Sequence, residues 1–159
     1  METKTNVMRL LEQAHVKYVP HFYKADPTLT GAQIAQILGE RIETVFKTLV
    51  AQGKSGDYFA FLVPVAKELD LKKAASAAGE KSIEMLPLKK LLPVTGYVHG
   101  GCSPIGMKKR MRHFIDSTSL SFGSISFSGG RVGAQVTVKT TDALKVAELI
   151  PASFAKDPD

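Results

Sequence analysis

Lys47 sits inside the apolar run Thr44-Val45-Phe46-Lys47-Thr48-Leu49-Val50, where a charged side chain needs a reason. The run reads as a strand over Val45–Val50, and alternation puts Lys47 on the face of Val45 and Leu49. An ammonium on such a face loses hydration unless the face opens into a cleft. The plainer reading is an edge strand, with the lysine stem covering apolar surface and its head in water. On pattern alone that reading is favoured. The loop Gly100-Gly101-Cys102-Ser103-Pro104-Ile105-Gly106 and the turn Ser128-Gly129-Gly130 shift the balance toward a ligand. Glycine lets the main chain approach a ligand, and unobstructed N–H groups can hold a carbonyl oxygen or an oxyanion. Each glycine pair taken alone reads more simply as a tight turn. Neither is a Walker-type phosphate loop, because no Gly-Lys-Ser/Thr follows, and neither fits a dinucleotide fingerprint.

Cys102 is the only cysteine. A catalytic thiol wants a base and often a helix N-terminus. His99 and His113 are close to it in sequence only, so an unreactive loop residue is expected. The histidines His15, His21, His99 and His113 have no metal-ligand spacing, and no metal or other cofactor is expected. No serine sits in a Gly-x-Ser-x-Gly elbow. Asp26 and Asp70 read as turn and cap residues.

The elements that must position these groups follow from periodicity and punctuation. Lys4 to His15 has helical apolar spacing, and Tyr18 to Tyr23 reads as a strand that Pro20 pushes to an edge. Thr30 and Gln33 fit a capping box, with Gly39 as the helix stop. A turn over Gly53–Asp57 joins the Lys47 strand to a returning strand, Tyr58–Val63. Asp70 caps a helix over Leu71–Ala78, which Gly79 ends. Ser82–Met85 is a short strand, and Pro87 opens a short helix to Leu92. Gly96–His99, Arg112–Asp116 and Leu120–Phe127 read as extended, and Arg131–Val138 as an alternating strand. Asp142–Leu149 is the last helix, with Thr141 as its cap, and the tail from Pro151 reads as frayed. Strands outnumber the scattered helices, so the expected class is α/β with a mixed sheet.

A chain of 159 residues fits one domain, taken as 1–159, and can bury a core without disulfides. The start, Met1-Glu2-Thr3-Lys4, lacks a signal peptide's apolar core, no apolar run is long enough to span a bilayer, and the lone cysteine suits a cytoplasmic location. The net charge of +6 favours a polyanionic partner, and nucleic acid is the usual one. Lys108, Lys109, Arg110 and Arg112 cluster just after the glycine loop, which marks them as candidate RNA contacts.

Taken jointly, Phe46-Lys47-Thr48-Leu49-Val50, Gly96-Tyr97, Gly100 to Gly106 with Lys108-Lys109, and Ser128-Gly129-Gly130 resemble the YbaK/EbsC proteins. These are relatives of the editing domain inserted in bacterial prolyl-tRNA synthetase. The likeness runs from His21-Phe22-Tyr23 to the last helix. It implies a single-domain YbaK-like α/β fold with a mixed, barrel-like sheet surrounded by helices. It also implies a trans-acting aminoacyl-tRNA deacylase acting on mischarged tRNA(Pro), with prolyl-tRNA synthetase as a conceivable partner and no membrane role. Through the resemblance Lys47 becomes the functional lysine, with Tyr23, Thr48, Gly100, Gly101, Ser103, Ser128 and Gly129 around the substrate. For a cysteinyl ester the resemblance implies attack by the substrate's own thiol on its carbonyl, a proximity mechanism needing no protein nucleophile. Other branches clear alanine, serine or threonine esters, and a non-catalytic tRNA-end-binding module is the competing class. Two departures bear on substrate choice: Arg131-Val132-Gly133 replaces a basic pair and glycine, and Gln135 stands where some relatives have an acid.

Overall fold

Helix ends fall where side chains can close them. In the computed structural model, which describes residues 3–159, α1 (Asn6–Gln13) starts at Thr5, whose hydroxyl accepts from Met8 N–H. Met1 and Glu2, the start of the segment read as lacking a leader, lie outside the described residues. α2 (Gly31–Leu38) opens on the full Thr30/Gln33 capping box and stops at Gly39 with φ 69°. α3 (Leu71–Ala78) has Asp70 accepting from two first-turn amides and Gly79 closing it. α4 (Leu88–Thr95) runs past the expected end at Leu92 with Pro93 inside it, and Pro87 is its N-cap. In α5 (Thr140–Val146) the N-cap is Lys139, without a side-chain cap bond, so the expected cap Thr141 lies within the helix; the Thr140 hydroxyl donates to Phe122 O at 2.6 Å.

The strands are β1 (Tyr18–Phe22), β2 (Phe46–Gly53), β3 (Tyr58–Pro64), β4 (Glu68–Leu69), β5 (Ile83–Met85), β6 (Arg112–Asp116), β7 (Ser124–Ser128), β8 (Ala134–Lys139), β9 (Leu149–Ala152) and β10 (Ala155–Lys156). A five-stranded mixed sheet runs β5-β2-β3-β6-β9, with β2 and β3 as the expected hairpin and β6 parallel to both neighbours. A three-stranded antiparallel sheet runs β1-β8-β7, with Pro20 on its edge strand as expected. A single parallel bridge, Val45 to Ser126, ties the two sheets together. They curve around one apolar cluster, Phe46, Leu62 and Ile115 meeting Ile125, Phe127, Val136 and α1, without closing into a barrel. A second cluster stacks Phe59, Phe61, Phe114 and Phe154 against the alanines of α3. The expected α/β class with a mixed sheet is what the chain adopts.

Several boundaries differ from the sequence reading. Gly96–His99 is not a strand, since Gly96 terminates α4 at φ 81° and a turn follows. The stretch Leu120–Phe127 is interrupted: Asp116 accepts from the Thr118 N–H and hydroxyl, which nucleates a 3-10 turn over Ser117–Ser121. Arg131–Gly133 is turn rather than strand, because Gly130 and Gly133 hold φ of 102° and 98°. The last helix ends at Val146, short of Leu149. The tail is not frayed. Leu149–Ala152 extends the main sheet, Phe154 is fully buried, and Asp116 accepts from the N–H groups of Phe154 and Ala155 at 3.0 and 2.9 Å.

Candidate functional site

A cavity of about 220 Å³ wraps the free edge of β2. β5 pairs with β2 only at Ala51–Gly53, so among the described residues no strand pairs with that edge between the Val45 bridge and Val50. Lys47 and Thr48 leave the strand on opposite faces, yet both line the cavity because it curls around the edge. Backbone parity follows from two bonds: Val65 N–H donates to Val45 O, and Leu86 N–H donates to Val50 O. Odd residues therefore bond to β3, and the N–H and C=O of Thr48 point toward the open edge. The Thr48 hydroxyl is buried with no hydrogen-bond partner among the described residues.

Lys47 is half-buried, and among the described residues its ammonium forms no salt bridge. Burial pulls its pKa below the usual lysine value, and the charge of Glu68 pulls the other way. Among the described residues no Asp or Glu lines the cavity, so Lys47 is its formal charge. No group of three His, Cys, Asp or Glu side chains is placed to hold a metal among the described residues.

The far wall comes from the two glycine turns, which the fold packs against each other. A Cβ on Gly101 would lie 2.9 Å from Arg131 Cα, so only glycine permits this approach. Gly100, with φ 86°, lines the cavity, as do Ser128 and Tyr23. Gly101, Ser103 and Gly129 do not; they shape the wall from behind. Ser103 is fully buried and Gly129 is wedged against Ala134. Most of the glycine amides are already committed. Gly101 N–H donates to Val98 O at 3.0 Å, Gly129 N–H to Ala134 O at 2.8 Å, and Gly130 N–H to Ser128 Oγ at 3.1 Å. Of the amides in the two pairs only that of Gly100 lacks an acceptor among the described residues.

Cys102 and His99 both line the cavity, but no hydrogen bond joins them. Burial pushes the Cys102 thiol up to about 12. The Tyr97 hydroxyl holds the loop from behind by donating to Ile105 O. Of the basic cluster, Lys108 and Lys109 are exposed beside the end of α4, where their N–H groups donate to Thr95 O and Val94 O. Arg110 and Arg112 instead line a separate open groove with Tyr58 and Glu148. Arg112 is tied inward, donating to Ala78 O at 2.6 Å and lying over the Phe59 and Phe114 rings.

Sequence reasoning did not single out Glu40, just after Gly39. It accepts from Gln135 Nε2, from Ser126 Oγ at 2.5 Å and from Thr137 Oγ1 at 3.4 Å, and His21 Nε2 lies 2.8 Å from Thr137 Oγ1. The clue available in sequence was alternation. Gln135 and Thr137 share a face of β8 and sit opposite Ser128 and Ser126 of β7, a polar face too ordered to be plain surface.

The chain belongs to the aminoacyl-tRNA editing domain family, whose profile matches residues 25–146. EbsC of Enterococcus faecalis, named as a proposed Cys-tRNA(Pro)/Cys-tRNA(Cys) deacylase, is 40% identical over 136 residues, covering 85% of this chain and 83% of that protein. The proline–tRNA ligase of Thermosipho melanesiensis is 32% identical over 78 residues, which is 49% of this chain but 14% of the ligase. A crystal structure described as a proposed trans-editing enzyme for prolyl-tRNA synthetase superposes with a TM-score of 0.81 over 97% of this chain and 99% of that one. At 24% identity that likeness concerns the fold. No helix here is long and apolar enough to cross a membrane among the described residues.

Proposed function

We propose that residues 1–159 form one trans-acting editing domain that deacylates Cys-tRNA(Pro), with free mischarged tRNA or tRNA held by prolyl-tRNA synthetase as its partner. The observation that carries this reading is the partly desolvated Lys47 ammonium, which among the described residues has no salt-bridge partner and no acidic side chain beside it in the cavity. Such a cation suits an ester next to a phosphate, and a 220 Å³ cavity suits one small aminoacyl group better than a polypeptide. The relative EbsC, named as a proposed Cys-tRNA(Pro)/Cys-tRNA(Cys) deacylase, supports the choice of amino acid.

In the proposed reaction Lys47 orients the terminal ribose and phosphate. The uncommitted amides of Gly100 and Thr48 donate to the ester carbonyl oxygen as charge develops on it. The substrate thiol loses its proton and forms a sulfur–carbon bond to its own carbonyl. The carbon–oxygen bond to the ribose then breaks, the ribose oxygen takes up a proton, and water opens the strained thiolactone to cysteine. Tyr23, Ser128 and the walls shaped by Gly101, Ser103 and Gly129 fix the orientation this attack requires. Cys102 takes no part, because its thiol stays protonated. Lys108 and Lys109, with Arg110, contact phosphates beyond the acceptor end; Arg112 serves that surface only through its stem and its tie to Ala78.

The test is a single-turnover panel of Cys-, Ala-, Ser- and Thr-tRNA(Pro) together with Cys-tRNA(Cys). Fast release from Cys-tRNA(Pro) is expected. Preferential release of alanine, serine or threonine would move the protein to another branch, and tRNA binding without any turnover would make it a tRNA-end-binding module.

A further inference from the structure

We infer that Glu40 is a positioning residue that holds the Gln135 amide with its carbonyl oxygen toward the cavity, as the acceptor for the α-ammonium of the aminoacyl group. The ligand named here rests on the deacylase reading; the orientation does not. A carboxylate only accepts hydrogen bonds, so the amide group facing Glu40 must be the Gln135 NH₂. That fixes Oε1 on the other side. Gln135 lines the cavity, and among the described residues its Oε1 makes no hydrogen bond, yet it is not one of the buried atoms left without a partner. It is therefore an open acceptor in the cavity wall.

The surrounding network makes the arrangement stiff. Ser126 Oγ gives its proton to Glu40, so the single Thr137 proton is shared between Ser126 Oγ at 2.6 Å and Glu40 Oε2 at 3.4 Å. The Thr137 oxygen then accepts from His21 Nε2 at 2.8 Å. Every donor chain on this face runs toward Glu40, and rotating the Gln135 amide would set its carbonyl against a carboxylate.

An aminoacyl ester brings a cation of its own, and the cavity already holds Lys47. Lys47 stands on β2 and Gln135 on β8 of the other sheet, so the two cations can occupy opposite walls. With no Asp or Glu in the lining, Oε1 of Gln135, backed by the charge of Glu40, is the acceptor suited to an ammonium. The Gln135 position reads the amine, while the size of the cavity reads the side chain.

The probe is 3′-(L-cysteinylamino)-3′-deoxyadenosine, whose amide replaces the labile ester, compared by calorimetry with its deamino counterpart, the 3-mercaptopropionyl amide. Wild type should bind the ammonium ligand about tenfold or more tightly, as expected for a charge-assisted hydrogen bond. In Glu40→Met and in Gln135→Met the preference should shrink to about twofold or less, with affinity for the deamino ligand little changed. A preference that survives Glu40→Met overturns the inference, as does a wild-type protein with none. Wild-type turnover of Cys-tRNA(Pro) without an ammonium preference would remove this subsite and leave the deacylase reading standing. A preference without turnover of any aminoacyl-tRNA would do the reverse.

Discussion

Replacing Lys47 by methionine separates what its charge does for a ligand from what it does for the fold. The stem is retained, so packing along the edge of β2 is preserved. The ammonium has no salt-bridge partner among the described residues, and burial holds its pKa below the ordinary 10.5 against the opposing pull of Glu68. The folded state therefore binds that proton less tightly than the unfolded chain does. The charged lysine costs stability at neutral pH, and the cost fades as pH rises toward the ordinary lysine value. Lys47→Met should accordingly unfold at the same temperature as wild type or a higher one near pH 7, with the gap closing toward pH 10.5. Catalysis should move the opposite way. Loss of one charge-assisted hydrogen bond is worth about 1.5–3 kcal/mol, or roughly 10- to 150-fold. If the ammonium also meets charge developing on the carbonyl, the loss approaches about 10²–10³. Single-turnover deacylation of Cys-tRNA(Pro), with thermal unfolding in parallel, reads both quantities. A folded variant with near wild-type turnover would refute a ligand role for Lys47. A fall in stability that accounts for the lost activity would make the lysine structural.

Cys102→Ala should keep most of the activity, since a thiol pushed up to about 12 is protonated at neutral pH; an acyl-enzyme on Cys102 trapped in mass spectrometry would contradict this. Gly101→Ala should cost about 1–3 kcal/mol in denaturant unfolding and most of the turnover, because its Cβ would press on the Arg131 backbone and part the two turns. Reversing Lys108 and Lys109 to glutamate should weaken tRNA binding and flatten its salt dependence by about one unit of log–log slope for each phosphate that is no longer neutralised. Arg112→Ala should instead lower the melting temperature, since its guanidinium is bound to Ala78 O. Burial alone would raise the Asp116 carboxyl, but hydrogen bonds from Phe154, Thr118 and Ala155 outweigh it and hold the group below 3.8. Its stabilisation is thus present above that value and is lost as pH falls through the depressed one. Asp116→Ala should cost about 1.5–3 kcal/mol in urea unfolding at neutral pH.

What the sequence made legible was local. The Thr30/Gln33 box, the Asp70 cap and the stops at Gly39 and Gly79 are each settled within a few residues, and the structure has them where the pattern puts them. The hairpin around Lys47 and the edge strand with Pro20 follow for the same reason. The site depends on contacts that no short window contains. That Lys47 and Thr48 share a cavity comes from β5 leaving half of β2 unpaired. Three of the expected glycine donors are spent within their own segments, on Val98 O, Ala134 O and Ser128 Oγ, which the glycine pattern alone does not reveal. Glu40 was not singled out from the sequence, because only the approach of β7 and β8 gives it partners. The tail beyond Pro151 looked polar and loose because Phe154 is a lone aromatic there; it is Asp116, thirty-eight residues upstream, that fixes it.

The decisive comparison is the single-turnover rate of wild-type protein on Cys-tRNA(Pro) against Ser-tRNA(Pro), at enzyme concentrations that saturate both. The two side chains differ by one atom and fit the same 220 Å³ cavity, so binding alone discriminates weakly. A mechanism in which the substrate supplies its own nucleophile makes the cysteinyl ester react far faster, because a hydroxyl is a much poorer nucleophile than a partly ionised thiol. Equal rates would mean that the protein activates water, and the assignment of the nucleophile to the substrate's own thiol would fall.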